Sequence, residues 1–145
     1  MRKHALALVA ALLLLALSLP QQLIAGGASP DYTNVSNEQL KALLEKGVTL
    51  VDIRRPEEWR QTGVIEGSHK ITLFDGRGRI APDFQRKFEA VTDPDEPVAL
   101  ICRTGNRTRV ASRLLSRQLG YKHIYNVERG ITDWIRKGYP VVKGQ

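Results

Sequence analysis

The most informative stretch of the chain is residues 98–119, which read VALICRTGNRTRVASRLLSRQL. Its first four residues are an unbroken apolar run, which is typical of a strand buried on both faces of a sheet. From Asn106 to Leu119 apolar residues recur at helical spacing, and Gly120 follows as a C-terminal stop signal. The stretch therefore predicts a buried strand that leads through a short polar loop into an amphipathic helix.

The two faces of this predicted helix differ in composition. We expect five apolar side chains to face inward: Val110, Ala111, Leu114, Leu115 and Leu119. The opposite face carries three arginines, called here the arginine stripe: Arg109, Arg113 and Arg117. Such a charged face is usually a solvated surface, although it would also suit an acidic protein partner.

The remainder of the chain alternates predicted strands and helices. Ser36 and Gln39 form a capping-box pattern that opens a helix, and Gly47 ends it. Further strands are predicted at residues 48–53, 68–73 and 123–127, and further helices at residues 56–61, 82–90 and 131–137. This order predicts an α/β fold with a mainly parallel central sheet and helices on both faces.

The N-terminus carries the three parts of a secretory signal peptide. Arg2 and Lys3 form a positive region, an apolar run extends from Ala5 to Leu19, and small residues follow from Ala25 to Ala28. We predict a signal peptide that is cleaved near Ala25 or Ala28. Retention as a membrane anchor is the alternative, although about 15 apolar residues fall short of the ~20 that span a bilayer.

The predicted organisation is a signal peptide over residues 1–28, a loose lead-in over residues 29–35 and one domain over residues 36–145. Without Arg2 and Lys3 the formal charge falls from +7 to +5, so the mature chain stays basic. A signal peptide predicts a periplasmic or otherwise exported protein, or a membrane-anchored one that faces the exported side. Export argues against nucleic acid as a partner and favours small anions or an acidic protein.

Cys102 is the only cysteine, and it directly follows the buried strand. In an exported chain a single cysteine is either an inert core residue or a reactive thiol. Ligands of open α/β sheets collect at the carboxyl ends of strands, where the next helix offers unpaired N–H groups and the positive end of its dipole. We therefore predict that Cys102 is a catalytic nucleophile, with a buried structural thiol as the alternative.

The six residues after this cysteine are the candidate substrate-binding residues: Arg103, Thr104, Gly105, Asn106, Arg107 and Thr108. The glycine lets the backbone curl, so that successive N–H groups converge on one point. The two arginines add fixed positive charge. Each of these features stabilises a thiolate and attracts an anionic substrate to it.

Four segments resemble the rhodanese domain, and they occur along residues 35–142 in the order that the family has. The cysteine loop matches the family pattern Cys-Arg-x-Gly-x-Arg-Thr, and the other three segments are residues 51–59 (VDIRRPEEW), 63–68 (GVIEGS) and 126–140 (NVERGITDWIRKGYP). Val64, Glu66 and Arg129 depart from the family's His, Pro and first Gly at their positions. The resemblance therefore implies the fold, but not the detailed loop shape at these departures.

The resemblance implies a sulfurtransferase that takes sulfane sulfur from thiosulfate or a persulfide donor. The sulfur would pass through a persulfide on Cys102 to a thiol or cyanide acceptor. The expected partners are therefore a small anionic donor and a thiol acceptor, which could be an acidic protein. We expect no metal and no cofactor, and a membrane only if the N-terminal segment is retained.

Two other functions remain open. A non-catalytic sulfur carrier or redox partner module would use the same cysteine without turnover. A cysteine phosphatase or arsenate reductase is less well supported, because phosphatases that resemble rhodaneses have one more residue between the cysteine and the closing arginine. Here Arg107 lies five positions after Cys102, and no second thiol is present for oxyanion reduction.

Other polar and aromatic residues receive structural interpretations. Asp52 is expected to hold a loop or to pair with a nearby arginine, whereas Arg54 or Arg55 could reach the pocket. We expect four further side chains to be structural: Trp59, Trp134, His69 and His123.

Overall fold

The computed structural model describes residues 31–145, so the predicted signal peptide lies outside the described residues. Within them a sheet contains five strands, which are β1 (Thr33–Val35), β2 (Thr49–Asp52), β3 (His69–Lys70), β4 (Val98–Ile101) and β5 (Ile124–Val127). The helices are α1 (Asn37–Glu45), α2 (Pro56–Thr62), α3 (Phe84–Glu89), α4 (Asn106–Leu119) and α5 (Gly130–Arg136). The strand order is β1-β5-β4-β2-β3, and all of these strand pairs are parallel. The predicted α/β fold with a parallel central sheet is confirmed.

The central strand β4 explains why helices cover both faces of the sheet. Its four residues are all buried, and successive side chains point to opposite faces. Leu100 packs in one cluster with Phe84 and Phe88 of α3 and with Leu115 of α4. Ala99 and Ile101 pack in a second cluster on the other face, together with Leu40 of α1 and with Ile131 and Trp134 of α5. A continuous apolar strand is therefore buried on each side by a different pair of helices.

The predicted loose lead-in contains a strand, so that interpretation of residues 31–35 is wrong. Thr33 pairs with Tyr125 and Val35 pairs with Val127, which places β1 at the edge of the sheet beside β5. Only Val35 of the three strand residues is buried, so the segment lacks a hydrophobic pattern that would mark it as a strand. Its conformation comes from hydrogen bonding to a strand that lies about ninety residues further along the chain.

The buried face of α4 differs from the predicted one at Val110, whose side chain is 53 % exposed. The buried residues are instead Thr108, Ala111, Ser112 and Leu115, which follow the spacing i, i+3, i+4 and i+7 of one helical face. The prediction was wrong at Val110 because it placed apolar residues inward by their type. The helix instead buries two hydroxyl-bearing residues beside the sheet.

A buried ion pair joins β2 to α2. Asp52 and Arg54 are 0 % and 1 % exposed, and the closest nitrogen–oxygen distance between them is 2.7 Å. The Arg54 guanidinium also donates to the Thr62 hydroxyl at 2.7 Å and to the Gly63 carbonyl oxygen at 2.9 Å. This confirms the interpretation of Asp52 as a structural partner of an arginine, and it fixes the C-terminal end of α2 to the sheet.

No helix of residues 31–145 combines the length and the apolar composition needed to cross a membrane. The longest of them, α4, has 14 residues and carries the arginine stripe on its exposed side.

We expect Asp52→Asn to lower the free energy of unfolding by about 3–5 kcal/mol, because it leaves the buried Arg54 cation without a counter-charge. The measurement is urea unfolding followed by tryptophan fluorescence. Asp83→Asn is the matched control, since Asp83 forms an exposed ion pair with Lys87 and contributes little to stability. Equal unfolding midpoints for the two variants would contradict this account of the buried pair.

Candidate active site

The Cys102 side chain lies at the carboxyl end of β4 and is 1 % exposed. The chain then curls, so that the Gly105 N–H donates a hydrogen bond to Cys102 Sγ at 3.2 Å. The Thr108 hydroxyl oxygen, in the first turn of α4, lies 3.6 Å from the same sulfur. Because both contacts come from the start of α4, the sulfur lies close to the positive end of the helix dipole.

The curled loop depends on glycine at two positions, because backbone packs directly against backbone. Gly105 has φ +89°, and a Cβ atom there would lie 2.0 Å from the Glu128 carbonyl oxygen. Gly130 has φ +59°, and its Cβ atom would lie 2.5 Å from the Cys102 carbonyl oxygen. A side chain at either position would therefore push the cysteine loop away from the turn between β5 and α5.

Hydrogen bonds hold the same two segments together. The Ile131 N–H donates to the Cys102 carbonyl oxygen at 2.9 Å, and the Thr132 N–H donates to the Arg103 carbonyl oxygen at 3.1 Å. These donors belong to the first turn of α5, where helix N–H groups lack partners within the helix. The loop carbonyl groups are thus bound to α5, while the Gly105 N–H is bound to the sulfur.

A pocket of about 390 Å³ borders the cysteine loop. It lies between the start of α2, the loop after β3 and the cysteine loop, and its lining residues are Arg55, Glu58, Phe74, Asp75, Gly76, Gly78, Arg103 and Arg107. Three of these side chains are cationic and two are anionic, so the lining has a net positive charge. Cys102 is not part of the lining because it is buried beneath the surface of its own loop.

One acidic residue of the lining shapes the loop after β3. Asp75 accepts hydrogen bonds from the backbone N–H groups of Arg77 and Arg79 and from the Arg79 guanidinium. The backbone hydrogen bond from Arg79 lowers the pKa of Asp75 most strongly and outweighs the opposing effect of burial. The carboxylate is therefore ionised at neutral pH and holds its own loop in a closed turn.

The other acidic residue, Glu58, forms a two-pronged ion pair with Arg107. The distances are 2.7 Å from Arg107 Nη1 to Glu58 Oε2 and 2.6 Å from Nη2 to Oε1. Burial would raise the pKa of Glu58, but the hydrogen bonds from Arg107 and from the Arg55 N–H outweigh it and lower the pKa to about 2. Glu58 likewise raises the pKa of Arg107. Both groups are therefore charged at any pH at which the protein would be assayed.

Arg103 differs from Arg107 in its surroundings. Its side chain is exposed and lines the pocket, and none of the ion pairs within residues 31–145 involves it. Arg103 therefore offers the pocket a cation whose charge no carboxylate offsets.

The structure separates the predicted substrate-binding residues into two groups. Gly105 and Thr108 surround the sulfur, and Arg103 and Arg107 line the pocket. Thr104 instead lines a shallow depression on the α5 side. Asn106 accepts a hydrogen bond from Arg109, within the first turn of α4.

The structure also places the residues outside the cysteine loop that were interpreted from the sequence. Arg55 reaches the pocket, whereas Arg54 is used in the buried pair with Asp52. Both tryptophans are buried, as predicted. Sequence reasoning missed Glu58, although a carboxylate after β2 and an arginine after the adjacent strand β4 would have been a usable signal.

The family described as rhodanese-like domain matches residues 36–137. The chain belongs to this family. Among its relatives, the thiosulfate sulfurtransferase GlpE of Pseudomonas syringae is 30% identical over 110 residues, which are 76% of this chain and 92% of that protein.

Solved structures agree with the rhodanese-like assignment. The polysulfide-sulfur transferase homodimer of Wolinella succinogenes matches with a TM-score of 0.60 and 28% identity, over 77% of this chain and 79% of the other. Rv0390 of M. tuberculosis matches with a TM-score of 0.67 over 77% of this chain and 98% of the other, and its 23% identity supports the fold alone.

We expect Gly105→Ala to destabilise the rhodanese-like fold more than Gly47→Ala does. Both glycines have positive φ, but a Cβ atom meets nothing within 4 Å at Gly47 and meets backbone at Gly105. Strain in the left-handed region alone costs about 1–2 kcal/mol, and the backbone clash adds to it only at Gly105. Urea unfolding of both variants gives the comparison, and equal losses of stability would contradict the close packing described above.

Proposed function

We propose that this rhodanese-like protein is a sulfurtransferase in which Cys102 carries sulfur as a persulfide between a donor and an acceptor. The observation that carries this proposal is the hydrogen bond of 3.2 Å from the Gly105 N–H to Cys102 Sγ, beside an arginine-lined pocket. Relatives named thiosulfate sulfurtransferase at 30% identity support the reaction class.

The first half-reaction takes sulfur from thiosulfate or from a related persulfide donor. With thiosulfate, the Cys102 thiolate attacks the outer sulfur, and the bond between the two thiosulfate sulfurs breaks. Sulfite leaves with the electron pair of that bond, and Cys102 retains a terminal sulfur that carries one negative charge. The total charge is the same before and after the step, and no external oxidant is needed.

The second half-reaction restores the thiolate. A thiol in its thiolate form, or cyanide, attacks the terminal sulfur and leaves as a new persulfide or as thiocyanate. The electron pair of the broken S–S bond returns to Cys102. Because the donor product departs before the acceptor reacts, we expect ping-pong kinetics.

The residues around the sulfur have separate roles in this mechanism. The Gly105 N–H stabilises negative charge at the sulfur, and the start of α4 adds the positive end of its dipole. Arg103 attracts the anionic donor, because no carboxylate offsets its charge within the described residues. The net positive charge of the pocket also stabilises the negative charge that develops on the sulfite as it departs.

We further propose that the donor is a small anion such as thiosulfate and that the acceptor is a thiol, which an acidic protein could present. The basic composition of the chain supports both parts of this proposal. Export to the periplasm, which rests on the N-terminal sequence, stays a prediction.

We expect the chain beginning at residue 29 to produce thiocyanate from thiosulfate and cyanide, and Cys102→Ser to produce none. Serine keeps the size of the side chain but cannot form a persulfide. The measurement is a steady-state thiocyanate assay on both proteins, with circular dichroism as a control for folding. Equal rates for the two proteins, or no thiocyanate from either, would contradict the proposed function.

A further inference from the structure

The pair formed by Glu58 and Arg107 joins two of the three segments that line the pocket. Glu58 lies in the first turn of α2, which follows β2, and Arg107 lies in the first turn of α4, which follows β4. β2 and β4 are neighbours in the sheet, with Asp52 beside Ile101. Two parallel hydrogen bonds of 2.6 and 2.7 Å fix the plane of the guanidinium as well as its distance.

Glu58 is itself held in place by a backbone contact at the start of α2, made by the same Oε2 atom that accepts from Arg107 Nη1. Its Oε2 atom accepts the Arg55 N–H at 3.1 Å, which fixes the carboxylate to the start of α2. The other end of α2 is fixed through the buried Arg54, which binds Thr62 and Gly63. The carboxylate is therefore a fixed support for the arginine, and the Glu58 side chain is only 15 % exposed.

Pairing with Glu58 has two opposite consequences for an anion in the pocket. The carboxylate offsets the charge of Arg107, so it weakens the general attraction for the donor. It also restricts the guanidinium to one orientation, which contributes to the rate only when charge develops at the matching position. A residue that only offset the charge of Arg107 would oppose the reaction. The half-buried pair with two short, parallel hydrogen bonds therefore favours a role in orientation.

We propose that Glu58 is a positioning residue that holds the Arg107 guanidinium in the orientation that stabilises the departing sulfite. This role rests on the proposed sulfurtransferase function. It assigns the carboxylate to the first half-reaction, in which Cys102 takes the outer sulfur of thiosulfate and sulfite leaves with the electron pair of the broken bond. Glu58 does not touch the reacting atoms, and it acts through Arg107.

Glu58→Gln removes the charge while it preserves the start of α2. A glutamine carbonyl oxygen can still accept the Arg55 N–H, as Gln39 does at the equivalent position of α1, where Oε1 accepts the Ser36 N–H at 2.8 Å. Glu57→Gln is the matched control, because it removes the same charge from the same helix. Glu57 is 56 % exposed and pairs with Arg55, which also lies 3.7 Å from Glu58. The control therefore matches the loss of a negative charge beside Arg55 and leaves the contact with Arg107 unchanged.

Glu58→Asp separates the effect of orientation from the effect of charge. It also keeps the proposal testable if the glutamine variant does not fold. Aspartate keeps the negative charge, but its side chain is one methylene shorter and cannot form both hydrogen bonds from the position of Glu58. A role in orientation predicts that this variant is slow, whereas a role in charge alone predicts that it resembles the wild type.

The experiment is single-turnover formation of the Cys102 persulfide from thiosulfate alone, followed by rapid quenching and mass spectrometry. We expect the saturating rate constant to fall by roughly 10- to 100-fold in Glu58→Gln and in Glu58→Asp. The half-saturating thiosulfate concentration should not rise in Glu58→Gln, because the pocket becomes more positive. In Glu57→Gln we expect both constants to stay within about twofold of the wild type, as for a surface charge.

Each remaining outcome overturns the proposal. If Glu58→Gln and Glu58→Asp keep the wild-type rate constant, Glu58 only caps α2. If Glu58→Gln raises the half-saturating concentration with an unchanged rate constant, Glu58 contributes to binding and not to orientation. If the wild type itself forms no persulfide, the proposed function fails together with this role. If the wild type forms the persulfide and the Glu58 variants form it equally fast, only the role of Glu58 fails.

Discussion

The site depends on a contact in which two stretches of backbone touch without side chains between them. At Gly105 and Gly130 a Cβ atom would come within 2.0 and 2.5 Å of carbonyl oxygens in the opposing segment. This contact presses the cysteine loop against the turn between β5 and α5, so the loop must curl tightly before α4 begins. The curl in turn brings the Gly105 N–H to 3.2 Å from Cys102 Sγ. The position of one amide group at the sulfur thus follows from the absence of two side chains.

A second set of contacts brings charge to the same end of the sheet. The buried pair of Asp52 and Arg54 holds α2 against β2, and Glu58 at the start of α2 reaches Arg107 in α4. The two ion pairs differ in how deeply they are buried, so they have different effects on the protein. The first is fully buried, so removing one partner leaves an unpaired charge in the core. The second borders the pocket and fixes Arg107, so that Arg103 is the one arginine of the described pocket lining that forms no ion pair with a carboxylate.

The parts of the fold that depend on local sequence could be predicted, because their signals lie within a few residues. The capping box at Ser36 and Gln39 forms as expected, and α4 has the predicted bounds of Asn106 and Leu119. Strand β1 could not be predicted, because its three residues become a strand only by pairing with β5. Val110 was misplaced because its apolar character suggested burial, whereas the face of α4 that turns inward carries Thr108, Ala111, Ser112 and Leu115.

The candidate site shows the same division between local and long-range information. The order of strand, cysteine, glycine and helix was sufficient to place Cys102 between the end of β4 and the start of α4. The contact between Glu58 and Arg107 spans 49 residues, and it depends on which strands are adjacent in the sheet. The charge balance of the pocket is likewise a property of the fold, because its lining comes from three separate segments.

The most direct test of the central claim is the mass of the protein after treatment with thiosulfate and again after addition of cyanide. The account predicts that the wild-type chain gains the mass of one sulfur atom, that peptide mapping places it on Cys102, and that cyanide removes it in stoichiometric amount as thiocyanate. An unchanged mass after thiosulfate and after a persulfide donor, or an added sulfur that cyanide does not remove, would contradict the account.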